Sequence, residues 1–88
     1  MAATEEEREL ANRGAGGDEE AFEEIVKRHQ QMVHAVAWRM TGSASESEDI
    51  AQEAFVRVHG QLARFRGDAP LGSWIRAITV NLCLNWLK

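Results

Sequence analysis

Along most of the chain apolar positions recur at intervals of three and four, the spacing of amphipathic helices, and no stretch alternates with the period of two that marks a strand. Four helical segments follow from this. The first, Thr4 to about Arg13, carries Thr4 and Glu7 at capping-box spacing and acidic residues in its first turn, where the helix dipole favours them. It is short and is expected to be peripheral. The second runs from Asp18, a good N-cap, to about Thr41, and sets Phe22, Val26, His29, Val33, Val36 and Met40 on one stripe at about 100° per residue. It is expected to be the central core helix. The third begins at Ser45, with Glu48 completing a capping box, and buries Ile50, Ala54, Val58 and Leu62; Gly60 weakens its last turn. After the turn-rich stretch Arg66 to Pro70, a fourth helix starts near Leu71 to Ser73 and directs Leu71, Ile75, Ile78, Leu82 and Trp86 at the core. The pattern predicts an all-α fold, a compact bundle of three main helices plus a short N-terminal helix. Residues 1–15 form an acidic N-terminal segment and residues 16–88 the main domain.

Faces left over by these stripes carry the candidate chemistry. On the third helix Asp49, Gln52, Glu53 and Val56 share the side opposite the core stripe, an acidic face with an apolar residue at its centre. A solvated helix face has this composition, and so does an interface for a basic partner, with Val56 as anchor and the charges as rim. On the fourth helix Trp74, Ala77, Asn81, Asn85 and Lys88 fall together beside the core stripe. Aromatic rings stack on unpaired bases, amides pair with base edges and cations neutralise phosphates, so the set suits nucleic acid; burial of Trp74 in the core is the competing reading. Upstream, Arg64-Phe65-Arg66-Gly67-Asp68 interleaves cations with an aromatic and a glycine, a composition fit for a loop around an extruded base. A third stripe, Val80, Leu84 and Leu87, is expected to be partly buried and partly covered by something outside the chain. Trp38 lies about 160° from Phe22 on the second helix and is expected under the first or fourth helix rather than in a binding site.

At 88 residues, with 44% hydrophobic and 27% charged residues, the chain is one small globular domain, which excludes a large multidomain enzyme. The net charge of −4 argues against nucleic acid only until its distribution is considered. Residues 1–24 hold nine acidic residues against Arg8 and Arg13, whereas in residues 57–88 Arg57, Arg64, Arg66, Arg76 and Lys88 face Asp68 alone. This asymmetry fits an acidic surface for one partner and a basic surface for another. Cys83 has no second cysteine to pair with, the first residues are acidic and lack an apolar run, and no apolar stretch approaches the roughly 18 residues of a membrane span. A cytoplasmic protein without membrane insertion is expected.

Catalysis finds no support. His29, His34 and His59 have no metal-ligand spacing, Cys83 has no histidine at motif spacing, and neither a phosphate-binding GxxxxGK[ST] loop nor a GxGxxG turn occurs. The chain is expected to be no enzyme, with no metal and no cofactor.

In order and spacing, several motifs together resemble a family: Gly17-Asp18-Glu19-Glu20-Ala21-Phe22, Ser47 to Phe55 (SEDIAQEAF), Arg64-Phe65-Arg66-Gly67-Asp68, and Trp74-Ile75-Arg76-Ala77-Ile78 followed by Asn81. They are similar to region 2 of the extracytoplasmic-function sigma factors, the dissociable promoter-specificity subunits of bacterial RNA polymerase. The resemblance covers about residues 16–88. It implies that Asp49, Gln52, Glu53 and Val56 dock on the basic clamp coiled coil of the largest subunit of core RNA polymerase. It also implies that Arg64, Phe65, Arg66, Gly67, Asp68, Trp74, Arg76, Asn81, Asn85 and Lys88 engage the non-template strand of the minus-ten promoter element and help to melt it. An anti-sigma factor is a further implied partner, and because such factors usually continue into a second helical domain that reads the minus-thirty-five element, the chain is expected to be a fragment of a longer factor. The alternative is a sigma-like decoy that sequesters an anti-sigma factor without binding DNA. A helix-turn-helix duplex reader is disfavoured, because the polar stripe of the fourth helix is rich in amides and has one lysine.

Overall fold

The computed structural model describes all 88 residues as helices and short connections: α1 (Glu5–Ala15), α2 (Glu19–Thr41), α3 (Ala44–Gln61), a 3-10 turn (Leu62–Arg64) and α4 (Leu71–Leu87). Local chemistry places most of the boundaries. Thr4 Oγ1 accepts from the Glu7 N–H and Glu7 Oε1 accepts from the Thr4 N–H, at 3.1 and 3.0 Å, so the predicted capping box is formed. Asp18 caps α2 by accepting from the N–H groups of Glu20 and Ala21, and it pairs with Arg13 Nη2 at 2.9 Å. The bond from the Ala21 N–H, followed by Arg13, holds the Asp18 carboxyl below its ordinary range, and the Glu20 N–H adds the least. α2 ends at Gly42, whose left-handed φ of 66° lets its N–H reach the Trp38 carbonyl at 2.8 Å.

α3 starts earlier than the sequence suggested. Its N-cap is Ser43, whose hydroxyl accepts from the Glu46 N–H, while Ser45 is exposed and Ser47 is buried and donates to the Ala44 carbonyl. Gly42 reverses the chain so tightly that the next helix restarts at once, and Ser43 with Glu46 offers the same spacing as the expected pair.

The three long helices pack around Ile25, Val33 and Ala37 of α2, Ile50, Ala51, Ala54 and Val58 of α3, and Leu71, Ile75, Leu82 and Cys83 of α4, with Leu62 beneath them. Each fully buried aliphatic side chain contributes about 1.5–3 kcal/mol relative to exposure. Thr79 is buried at no polar cost, because its hydroxyl donates to the Ile75 carbonyl at 2.9 Å. On α2 the buried residues are Ala21, Ile25, Val33, Val36 and Ala37: Val33 and Val36 of the expected stripe are buried, Ala21, Ile25 and Ala37 join them, and Phe22, Val26, His29 and Met40 are half-buried. Small alanines admit the closest helix contacts, and hydrophobic periodicity weighted by size misses that.

The first helix is no peripheral appendage. Leu10, Ala11 and Ala3 are buried, and Gly14 approaches Leu62 so closely that an added Cβ would lie 2.7 Å from Leu62 Cδ2. The expected boundary between residues 15 and 16 therefore falls at a turn inside one core. Two tryptophans depart from expectation. Trp38 is 52% exposed, not covered by α1 or α4. α1 reaches α2 at the Arg28–Glu6 pair, 3.2 Å, and Trp38 lies ten residues further along, about 15 Å of helix. Trp86 is 43% exposed although it continues the arc of Thr79, Leu82 and Cys83, because the last turn of α4 runs past the core and every residue from Leu84 onward is exposed. Val80 is half-buried, whereas Leu84 and Leu87 are exposed.

Candidate nucleic-acid interface

Gln61 ends α3, and the 3-10 turn that follows carries Arg64 outward and delivers Phe65 against α4. The Phe65 and Trp74 rings lie 5.4 Å apart at 54°. Both rings are half-buried and rest on the core, so the two readings of Trp74 meet: its inner edge packs and its outer part lines a surface. That surface is a cleft of about 310 Å³ bounded by Arg64 to Ala69 on the loop side and by Ser73, Trp74 and Ala77 on α4. An aromatic floor, small residues at the rim and cations on the approach suit a planar heterocycle attached to a phosphate chain.

The side chains of Arg64, Arg66 and Arg76 are exposed, and Arg66 Nε lies 3.6 Å from Asp68 in a fully solvated pair. Such a pair contributes little to stability and leaves the guanidinium free to exchange partners. Gly67 differs from its neighbours in being buried, with φ of 79°. It serves the loop through its backbone, since that conformation is open to glycine and costly for a side chain. Arg76 and Asn81 line an adjoining hollow with Ser73, Ala77 and Val80, so the cleft continues along α4. Asn85 and Lys88 are exposed further along the helix and line neither hollow.

Asp49, Gln52 and Glu53 are all exposed on the outer side of α3, and Val56 is 67% exposed among them. Glu53 is paired within the helix to Arg57 at 3.4 Å. Beside Val56 the structure adds what the sequence stripe missed. Phe55 and Phe22 are half-buried, His59 stands edge-on to Phe22 with ring centroids 4.8 Å apart, and these residues with Gln52 and Val56 line a hollow of about 460 Å³. The apolar centre of this face thus draws on α2 as well as α3.

Sequence reasoning missed another set altogether, behind the cleft. The Ala3 N–H donates to the Gly67 carbonyl at 3.1 Å, Arg8 Nη2 donates to the same oxygen at 3.4 Å, and Glu7 Oε1 accepts from the Leu71 N–H at 3.5 Å. These contacts span about sixty residues of chain, and nothing in the local pattern near Thr4 announces them. No helix of the chain is long and apolar enough to cross a membrane.

Comparison with known proteins agrees with this geometry. The family described as sigma-70 region 2 matches residues 25–88. The chain is 33% identical over 87 residues to the RNA polymerase sigma-H factor of Pseudomonas aeruginosa, covering 99% of this chain and 45% of that protein. It is 36% identical over 78 residues to the ECF RNA polymerase sigma-E factor of Escherichia coli, covering 89% of this chain and 40% of that protein. To the ECF RNA polymerase sigma factor SigM of Mycobacterium tuberculosis it is 32% identical over 80 residues, 91% of this chain and 41% of that one. The chain therefore spans less than half the length of these relatives. Among solved structures, an NMR structure of an engineered region 2 of sigmaE in complex with GTAAAA superposes with a TM-score of 0.82 at 30% identity, over 96% of this chain and 90% of that one.

Proposed function

Because the chain belongs to the sigma-70 region 2 family, in its extracytoplasmic-function branch, we propose that it recognises and helps to melt the minus-ten promoter element by holding the non-template single strand, while docked on core RNA polymerase. The observation that carries the reading is the Phe65–Trp74 cleft ringed by Arg64 to Asp68, in a fold shared with a region 2 solved in complex with GTAAAA. An unpaired base enters the cleft and stacks on the exposed part of the aromatic pair. Arg64, Arg66 and Arg76 neutralise neighbouring phosphates, and Asn81 meets a base edge further along α4. Asn85 and Lys88 extend the track beyond the hollows. Unstacking a base costs a few kcal/mol, and stacking returns about 1–3 kcal/mol per base, so pocket and phosphate contacts together favour the open strand. No covalent step is involved.

Docking is assigned to the opposite chemistry. Asp49, Gln52, Glu53 and Val56 face a basic coiled coil of the largest polymerase subunit, with Val56 and the neighbouring Phe55 as the apolar centre and the carboxylates as the charged rim. Two surfaces of opposite sign on different elements allow polymerase and DNA to be held together. An anti-sigma factor is the further partner this family membership suggests, and the cytoplasm is the compartment in which such a subunit works.

The test is fluorescence anisotropy with a labelled single strand containing GTAAAA, its duplex and a scrambled strand. The expected order places the cognate strand first. Asn81→Ala and Arg66→Ala, both at exposed positions, are expected to weaken it without changing thermal stability. Tighter binding to duplex than to single strand would refute the reading. A folded chain that binds neither DNA nor polymerase but captures an anti-sigma factor would establish the decoy instead.

A further inference from the structure

The contacts behind the cleft come from residues upstream of the family match, which begins at residue 25. Gly67 is the pivot of the loop, and its carbonyl accepts from two donors supplied by that upstream stretch, the Ala3 N–H and Arg8 Nη2. The Arg8 side chain also covers the Gly67 Cα: a Cβ there would sit 2.7 Å from Arg8 Nε and 3.4 Å from Arg8 Cγ and Cδ. The end of the loop is tied as well. α4 starts after Pro70 with no side-chain cap of its own, and the Leu71 N–H points to Glu7 Oε1, the oxygen that already accepts from Thr4. Ala3, Glu7 and Arg8 do not line the cleft, which is bounded by Arg64 to Ala69, Ser73, Trp74 and Ala77.

We propose that Ala3 to Arg8 act as a brace that sets the conformation of the promoter-contacting loop, with Arg8 a positioning residue that acts through the Gly67 carbonyl rather than on DNA phosphate. The inference rests on the cleft being the single-strand site. A loop of five residues between a 3-10 turn and a proline has many conformations, and binding a base with a loose loop would require ordering it at that moment. Fastening Gly67 to α1 bears that entropy cost at folding. Single-strand affinity then depends on a residue that touches no nucleotide.

The decisive variants are Arg8→Met, which keeps a covering stem but has no donor, and Arg8→Lys, which keeps charge and one donor. Each is titrated with the GTAAAA single strand at several salt concentrations and, separately, with the polymerase coiled coil. Amide exchange at Ala3 and Leu71 is followed by NMR. Arg8→Met is expected to weaken strand binding about five-fold, the worth of one net hydrogen bond, and to speed exchange at Ala3. Its salt dependence and its docking on the coiled coil should match the wild type, and Arg8→Lys should recover part of the loss. A salt slope shallower by about 0.7 would make Arg8 a phosphate ligand and overturn the proposal. Unchanged strand affinity would overturn it too, as would parallel loss of strand binding, docking and thermal stability, which would mean a general folding role. A wild type that does not bind the strand overturns the functional reading first, and is thereby distinguished from failure of the brace alone.

Discussion

Gly14 and Gly60 each occupy the last position but one of a helix, α1 and α3, so local propensity treats Gly→Ala alike at the two sites. In either helix alanine is favoured over glycine by about 0.5–1 kcal/mol. Their surroundings differ. A Cβ at Gly60 meets nothing within 4 Å, whereas a Cβ at Gly14 would stand 2.7 Å from Leu62 Cδ2 and 3.7 Å from Ile25 Cδ1. Ordinary carbon contacts lie at about 3.5–4.0 Å, so α1 or Leu62 must give by about 1 Å. Leu62 and Ile25 are both fully buried, so the packing around them opposes that displacement, and overpacking of this kind costs about 1–3 kcal/mol. Gly60→Ala is therefore expected to stabilise by about 0.5–1 kcal/mol and Gly14→Ala to destabilise by about 0.5–2 kcal/mol. Urea unfolding followed by the helical circular dichroism signal measures both; at about 4–8 °C per kcal/mol for a domain of this size, melting temperatures should move in opposite directions. Because Leu62 begins the turn that carries Arg64 and Phe65 to the cleft, Gly14→Ala should also weaken strand binding. A midpoint raised equally by both substitutions would refute the close α1–Leu62 contact and the reasoning built on it.

Reversal of Asp49 and Glu53 to lysine should abolish saturable docking on the polymerase coiled coil. It should change unfolding free energy by less than about 1 kcal/mol, since both side chains are exposed and the ion pair lost, Glu53–Arg57, is a solvated one; retained docking would remove this face from the interface. The Asp18 carboxyl is held low chiefly by the backbone N–H of Ala21 and then by Arg13, and that of Glu24 chiefly by Arg28. Folded-state values below the unfolded ones mean that this stabilisation is complete above the ordinary carboxylate range and disappears as pH falls through and below it. Acid titration of stability should be less steep in Asp18→Asn, and an identical profile would contradict the assignment. Burial pushes the Cys83 thiol up, so a thiol reagent at mildly alkaline pH should label the native chain far more slowly than the urea-unfolded chain; equal rates would place Cys83 at the surface.

Much of this was legible from one-dimensional pattern. The Thr4–Glu7 box and the Asp18 cap involve partners within three residues, and the α3 stripe of Ile50, Ala54 and Val58 followed by Leu62 repeats every four, so local chemistry suffices to name them. The outward position of Asp49, Gln52, Glu53 and Val56 follows from the same periodicity. The errors have a common origin. Residue type points Trp38 to the interior and helical period points Trp86 there, yet exposure depends on whether neighbouring helices extend that far: α1 does not reach Trp38, and the end of α4 runs past the core. The α3 cap was displaced because Ser43 and Ser45 each begin an acceptable serine–glutamate pair. The choice between them is made by the left-handed turn at Gly42.

The sequence by itself determined that the chain is a helical bundle with an acidic outward face on one helix and an aromatic, cationic loop before another, because helix period, caps and glycine turns act over a few residues. It also carried the motifs by which the family is recognised. Only the tertiary structure decided that Trp74 is both core and surface, that Phe22, Phe55 and His59 widen the apolar centre of the acidic α3 face, and that Ala3, Glu7 and Arg8 stand behind Gly67. Those are contacts between elements far apart in the chain. Their existence depends on how close α1 comes to the 3-10 turn, a distance set by the absence of a side chain at Gly14.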